Sequence, residues 1–109
     1  MDPFGLDLEM RDLVRTLHEI DADLGAELRQ VVDLRLYRSL GYESFDGYVR
    51  ERLGISPAKA RALVAVERRA KGSRELGPAY RSGELSWVRA LAILPVIDDS
   101  RAESAWVMR

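Results

Sequence analysis

The sequence predicts an all-α domain, and three observations carry that expectation. Apolar residues recur at helical spacing along most of the 109 residues, as in Met10, Leu13, Leu17 and Ile20 or Ala60, Leu63 and Val64. Period-two alternation of β-branched residues, the mark of strands, is absent. Gly41, Gly54 and Gly83 read as helix stops, with capping serines at Ser44, Ser56 and Ser86 opening the next segments.

The first segment runs from about Leu6 to Leu40. Met10, Leu17, Leu24 and Val31 stand seven apart, and Leu13, Ile20 and Leu34 fit a second seam. Glu27 interrupts that seam and Leu28 takes over, so the stripe is close to a coiled-coil pattern but imperfect. Gly25 costs about 1 kcal/mol against alanine inside a helix. Asp21-Ala22-Asp23 could cap a new helix. Either one long helix or two with a kink near residues 21–25 satisfies these features. The stripe Met10, Leu13, Leu17, Ile20, Leu24, Leu28 and Val31 is the expected dimer interface. It makes residues 1–40 an N-terminal arm and a dimerisation element.

Gly41 ends that arm, since glycine takes the left-handed conformation at a helix C-terminus without strain. Ser44 caps a helix of about 45–53, with Phe45, Tyr48, Val49 and Leu53 expected inside. Gly54-Ile55 makes a tight turn. Ser56 follows as an N-cap, its hydroxyl able to accept from a backbone N–H of the first turn. Pro57 occupies the first helical position, where a missing N–H costs nothing. The helix from Pro57 to about Lys71 turns Ala60, Leu63, Val64 and Val66 to the core, and Gly72 stops it. Gly77-Pro78 begins a short helix ended by Gly83. Ser86 caps another, Trp87 to Leu94, closed by Pro95. The architecture expected is a long N-terminal helix or kinked pair, then a helix-turn-helix with two supporting helices, over residues 41–95. In residues 96–109, Ser100 and Glu103 have capping-box spacing. They predict the start of a further helix that the sequence cuts short, so the chain reads as the N-terminal portion of something longer.

Composition excludes several classes. There is no cysteine, which removes disulfides, thiolate metal sites and cysteine nucleophiles, and suits a reducing cytoplasm. No apolar run approaches the roughly 20 residues that span a bilayer. The N-terminus MDPFGLDLEM lacks the basic region and apolar core of a signal peptide. No Ser/His/Asp grouping, phosphate-binding loop or dinucleotide turn is present. His18 is the one histidine; with Asp21 it makes a poor first shell for a transition metal, and it reads as a solvent-facing helical residue. Glu19, Asp21, Asp23 and Glu27 read as a solvated acidic face. Tyr37, Tyr42, Phe45 and Tyr48 fit core packing better than base stacking. For Trp87 and Trp106 the choice is between core anchor and partner anchor. No catalytic residue, cofactor, metal or small-molecule substrate is expected.

The net charge of −1 conceals an asymmetry. Residues 1–46 carry five Lys/Arg against eleven Asp/Glu, whereas residues 47–91 carry ten against four. A basic segment beside an acidic one points to a polyanion for the basic part, with solvation of helix faces as the competing explanation. Lys59 and Arg61 lie in the first turns after the Ser56 cap, where a docked recognition helix meets base edges. Arg68 and Arg69 lie near the other end, where they also favour the helix dipole. Arg50, Arg52, Lys71, Arg74 and Arg81 are placed to reach phosphates, contacts that position without reading sequence.

Two family resemblances meet on these residues. From Gly54 to Leu94, GISPAKARALVAVERR followed by GELSWVRALAIL resembles the helix-turn-helix region of ParB-type partition proteins. The arginine-rich nucleotide-binding motif of that family is missing here, so the resemblance implies a fold rather than partition activity. Over nearly the whole chain, LYRSLGYESFDGYVRERLGIS, KARALVAVERRA and GELSWVRALAILPV behind a long helix are similar to the helical region preceding the nuclease domain of bacterial HNH endonuclease-like proteins. The phrase LGYxSFxxYVxERLG is the specific part. That resemblance implies a DNA-binding or substrate-positioning module. No nuclease residue carries over, because an HNH site needs more than the single histidine on the N-terminal helix.

The expected function is therefore recognition of double-stranded DNA, as the N-terminal part of an HNH-type endonuclease and as a homodimer, without catalytic residues in this chain. A helical oligomerisation or protein-interaction module is the alternative. A small metal-dependent enzyme built on the acidic helix is a third reading.

Overall fold

The computed structural model describes residues 2–93. The protein is all-α, and the described residues contain no strand. The helix expected at about 101 and the Trp106 anchor lie outside the described residues.

Helix α1, Pro3–Asp33, is continuous over 31 residues. Asp2 caps it through its carboxylate, which accepts from the Phe4 backbone N–H at 3.0 Å, and Pro3 opens it. The kink considered near 21–25 is not there. The chain breaks instead at Leu34–Arg35, where Arg35 adopts a left-handed conformation (φ 52°), before the short α2, Leu36–Ser39.

Gly25 has another purpose than a kink. It is buried where α1 crosses α4, Pro57–Lys71, and a Cβ on it would stand 2.9 Å from the Leu63 carbonyl oxygen. The missing side chain lets two helix backbones touch, and that close approach offsets the propensity cost of glycine.

Gly41 takes a positive φ of 90°, as a helix stop requires. Ser44 then caps α3, Phe45–Tyr48, accepting from the Gly47 N–H at 3.0 Å. The expected single α-helix over 45–53 changes hydrogen-bonding period midway, and Val49–Leu53 form a π-helical turn. Widening the turn rotates the residues beyond it. Phe45 and Val49 are buried, Tyr48 is half-buried, and Leu53 faces solvent rather than the core. Gly54 ends the turn in the left-handed region (φ 68°).

α4 begins as expected, with the Ser56 hydroxyl accepting from the Lys59 N–H at 3.0 Å and Pro57 in the first turn. Ala60, Leu63, Val64 and Val66 are buried on it, joined by Glu67 and Ala70. Ser73 accepts from the Leu76 N–H at the start of α5, Leu76–Arg81. After Gly83 (φ 82°), Ser86 accepts from the Arg89 N–H at the start of α6, residues 87–93.

Two buried clusters make the core. One gathers Ala22, Val66, Ala70, Leu76, Tyr80 and Ala90; the other Leu28, Phe45, Val49, Ala60, Leu63 and Val64. Trp87 packs against both and anchors this core. Residues 22–32 of α1 belong to the same core as α4.

His18 departs from expectation too. It is half-buried, and its Nδ1 lies 3.1 Å from the Gly83 carbonyl oxygen. A carbonyl only accepts, so Nδ1 carries the proton and the ring ties α1 to the turn before α6. A side chain on Gly83 would collide with the Arg15 backbone in the same place.

Tyr80 is fully buried, and its hydroxyl has no hydrogen-bond partner among the described residues. Burial pushes the phenol well above its ordinary range, and the carboxylates of Asp21 and Glu67 push it further. An unpaired buried hydroxyl costs about 1–3 kcal/mol of desolvation. Tyr80→Phe is expected to stabilise the fold by about 1 kcal/mol in urea titrations at pH 7. The unfolded chain ionises Tyr80 first, so its contribution to stability is whole below about pH 10 and falls above it. That alkaline decline should shrink in the phenylalanine variant. A loss of stability at pH 7 would refute the assignment.

Candidate nucleic-acid interface

The basic helix α4 has two sides, and they divide the predicted contacts. Successive helical residues turn by about 100°. Ala58, Arg61, Ala65, Arg68 and Arg69 fall on the exposed side. Lys59 stands about 200° from Arg61 and falls on the side facing α1 and α6.

Lys59 is thereby turned away from the exposed side of α4. Its Nζ pairs with Asp21 of α1 at 3.2 Å and lies 5.7 Å from the centre of the Trp87 ring. The ammonium holds three elements together and is only partly exposed. Ser56 likewise spends its hydroxyl on capping α4.

Arg61 stays on the surface but is not unattended. Its Nε and Nη2 donate to the two carboxylate oxygens of Asp46, at 2.8 and 2.6 Å. This fork-on-carboxylate geometry fixes the guanidinium plane. It consumes two of five N–H donors and leaves the end-on edge, Nη1 with the second Nη2 hydrogen, facing outward. One helical stretch further on, Arg68 donates to Asp33 at the end of α1, and Arg29 lies 3.7 Å from the same carboxylate. Arg61 and Arg68 flank a shallow groove of about 210 Å³ floored by Val32, Phe45 and Val64.

Arg50, Arg52, Lys71, Arg74 and Arg81 are exposed and make no ion pair among the described residues. Arg50 and Arg52 project from the π-helical turn, and Arg68, Arg69 and Lys71 complete the last turn of α4. Their charge also suits the helix C-terminus. Arg81 folds back over its own helix, its Nη1 close to Gly77. Arg89 of α6 is a further exposed cation that the sequence reading passed over.

The tyrosines are spent on one another and on the core. Tyr37 meets Phe45 edge-on at 6.4 Å, and Tyr42 meets Tyr48 at 5.6 Å. Asp21 of the acidic row is engaged by Lys59, and no group of three His, Cys, Asp or Glu among the described residues is placed to hold a metal ion. No helix of the described residues is long and apolar enough to cross a membrane.

The stripe expected between chains is split. Leu28 is buried in this chain's own core, and Leu24 and Val31 are packed against it. Those three are corrected from dimer contacts to core, because the second half of α1 carries α4. Met10, Leu13, Leu17 and Ile20 remain more than half exposed.

Comparison with protein-family models, with curated proteins and with solved structures finds no match for the chain.

Proposed function

We propose that the chain is a DNA-binding module that presents the exposed side of α4 to duplex DNA, as the N-terminal recognition part of an HNH-type endonuclease. The observation that carries this reading is the make-up of that side. Arg61 and Arg68 project from it, each oriented by an aspartate, and the alanines at 58 and 65 leave the helix slim enough to approach a groove. Arg50, Arg52, Arg69 and Lys71 flank it with exposed positive charge for phosphates. The pairing of Arg61 and Arg68 with carboxylates lowers the local charge, so phosphate attraction falls to Arg50, Arg52, Lys71, Arg74 and Arg81. The endonuclease context rests on the resemblance of the LGYESFDGYVRERLG phrase.

Affinity for duplex should fall steeply with salt. With about five phosphates contacted, the log–log slope should be near −4.5. A mobility-shift titration against mixed genomic fragments measures it. No binding at low salt would end the proposal.

A second reading, self-association as a homodimer, is favoured by one observation. Leu6, Met10, Leu13, Leu17 and Ile20 form an exposed apolar row on α1. The two readings are compatible, since many helix-turn-helix proteins dimerise to read two half-sites.

A further inference from the structure

Resting on the DNA-binding reading, we infer that the corner between α1 and α2 is a second phosphate-binding edge, with Arg35 and Arg38 as its cations. They escape notice in the sequence because they close a segment that is acidic as a whole. Of the five Lys/Arg in residues 1–46, Arg29, Arg35 and Arg38 fall in the ten residues 29–38, where Asp33 is the one acid. Asp33 is already engaged by Arg68 and Arg29. Arg35 and Arg38 are exposed and make no ion pair among the described residues.

The backbone at Arg35 is a second, independent observation. With φ 52° and ψ 39°, Arg35 is the one residue other than glycine at positive φ among the described residues. An L side chain crowds the following carbonyl oxygen there, whereas glycine takes the conformation freely. Gly41, Gly54 and Gly83 hold the other positive-φ positions. The corner itself needs only a left-handed residue. The Arg35 N–H donates to the Val32 carbonyl oxygen at 3.3 Å, a bond that glycine would keep. An exposed, unpaired arginine held at a costly backbone position points to a contact outside the chain.

Its place in the fold selects the partner. Asp33 holds Arg68 of α4, and Arg35 leaves the backbone at most about 7 Å along the chain from Asp33. Tyr37, between the two arginines, meets Phe45 of the groove floor edge-on. The corner therefore borders the groove that Arg61 and Arg68 flank. A helix seated in a major groove about 12 Å wide has a phosphate backbone on each side. With α4 so seated, the corner beside it meets one of them, and two unpaired guanidiniums grip it without reading bases. Leu34 and Leu36 are also exposed, on either side of Arg35. An acidic protein partner would use those leucines together with the arginines, and a phosphate backbone would not. Continuity with Arg61 and Arg68 favours the phosphate.

Arg35→Gly and Arg38→Ala test this in the full 109-residue chain, on a mixed-sequence duplex at several salt concentrations. Beyond the slope near −4.5 that the five flanking cations give, these two should steepen it to about −6. Each single variant should bind several-fold more weakly at low salt, with a slope shallower by about 0.9. Arg35→Lys keeps the charge and should restore the slope. Arg35→Gly relieves the left-handed backbone, so its urea midpoint should hold or rise. Leu36→Ser should leave binding unchanged. A lowered midpoint in Arg35→Gly would make Arg35 structural and overturn the inference. A loss in Leu36→Ser equal to that in Arg35→Gly would show an apolar contact and overturn it too. Unchanged affinity and slope in either arginine variant, with the unmodified chain binding, would also overturn it and leave the corner to an acidic protein partner. Absence of binding by the unmodified chain at low salt would remove the DNA-binding reading as well.

Discussion

Gly25→Leu is expected to destabilise the fold by about 3 kcal/mol. The Cβ alone would stand 2.9 Å from the Leu63 carbonyl oxygen, a backbone atom within α4 that cannot swing aside. The remaining three carbons of leucine would have to open the α1–α4 crossing and loosen Leu28 and Leu63 with it. Gly25→Ala separates two opposing effects. Alanine gains about 1 kcal/mol of helix propensity, so its net loss should be near 1 kcal/mol. Gly5→Ala provides the contrast in the same helix. There the added methyl meets only the flexible carboxylate of Asp2, and the change should be neutral or stabilising. Urea midpoints with unchanged slopes measure all three. If Gly25→Leu unfolds at the wild-type midpoint, the two helices do not cross as closely as described.

Much of the fold was legible because local chemistry decides it. Gly54, Ser56 and Pro57 fix a stop, a cap and a start within four residues, and α4 begins where they say. Ser44 and Ser86 cap as their positions imply. Gly25 left the choice between a kink and a continuous helix open, because a helical glycine has the same sequence signature whether it kinks a helix or seats it against another. The difference lies in Leu63, 38 positions away. The change to a π-helical turn at Val49 left no local mark, and Leu53 moved to solvent with it.

The arrangement of the α4 cations was legible in part. That Lys59 and Arg61 cannot share a helix face follows from their spacing alone, and Lys59 is four residues from the buried Leu63 and three from the half-buried Ala62, on a side other than Arg61's. The partners could not be read. Asp21, Asp33 and Asp46 meet Lys59, Arg68 and Arg61 across separate helices, and nothing in their sequence neighbourhoods announces it. The heptad row was visible, but which half the chain covers itself depended on where α4 landed.

Arg61→Ala is the change expected to affect DNA binding most, and Asp46→Ala gives it meaning. If the outward edge of Arg61 makes a bidentate base contact, Arg61→Ala should cost about 1–3 kcal/mol on a preferred site, or roughly 5- to 150-fold in affinity. Asp46→Ala keeps the guanidinium but frees its plane, and it removes a negative charge from the interface. Affinity for random duplex should then hold or rise, while preference for the chosen site declines. A purely structural ion pair predicts something else. An exposed pair is worth about 0.2–1 kcal/mol of stability, so both alanine variants would lower the unfolding free energy by similar small amounts. The double variant would then lose no more stability than either single variant, and none of the three would alter binding. Competition binding to a selected site and to random duplex, with urea titrations on the same four proteins, separates the two cases. Matching stability losses with unchanged binding would remove Arg61 from the interface and leave Asp46 as its anchor to α3.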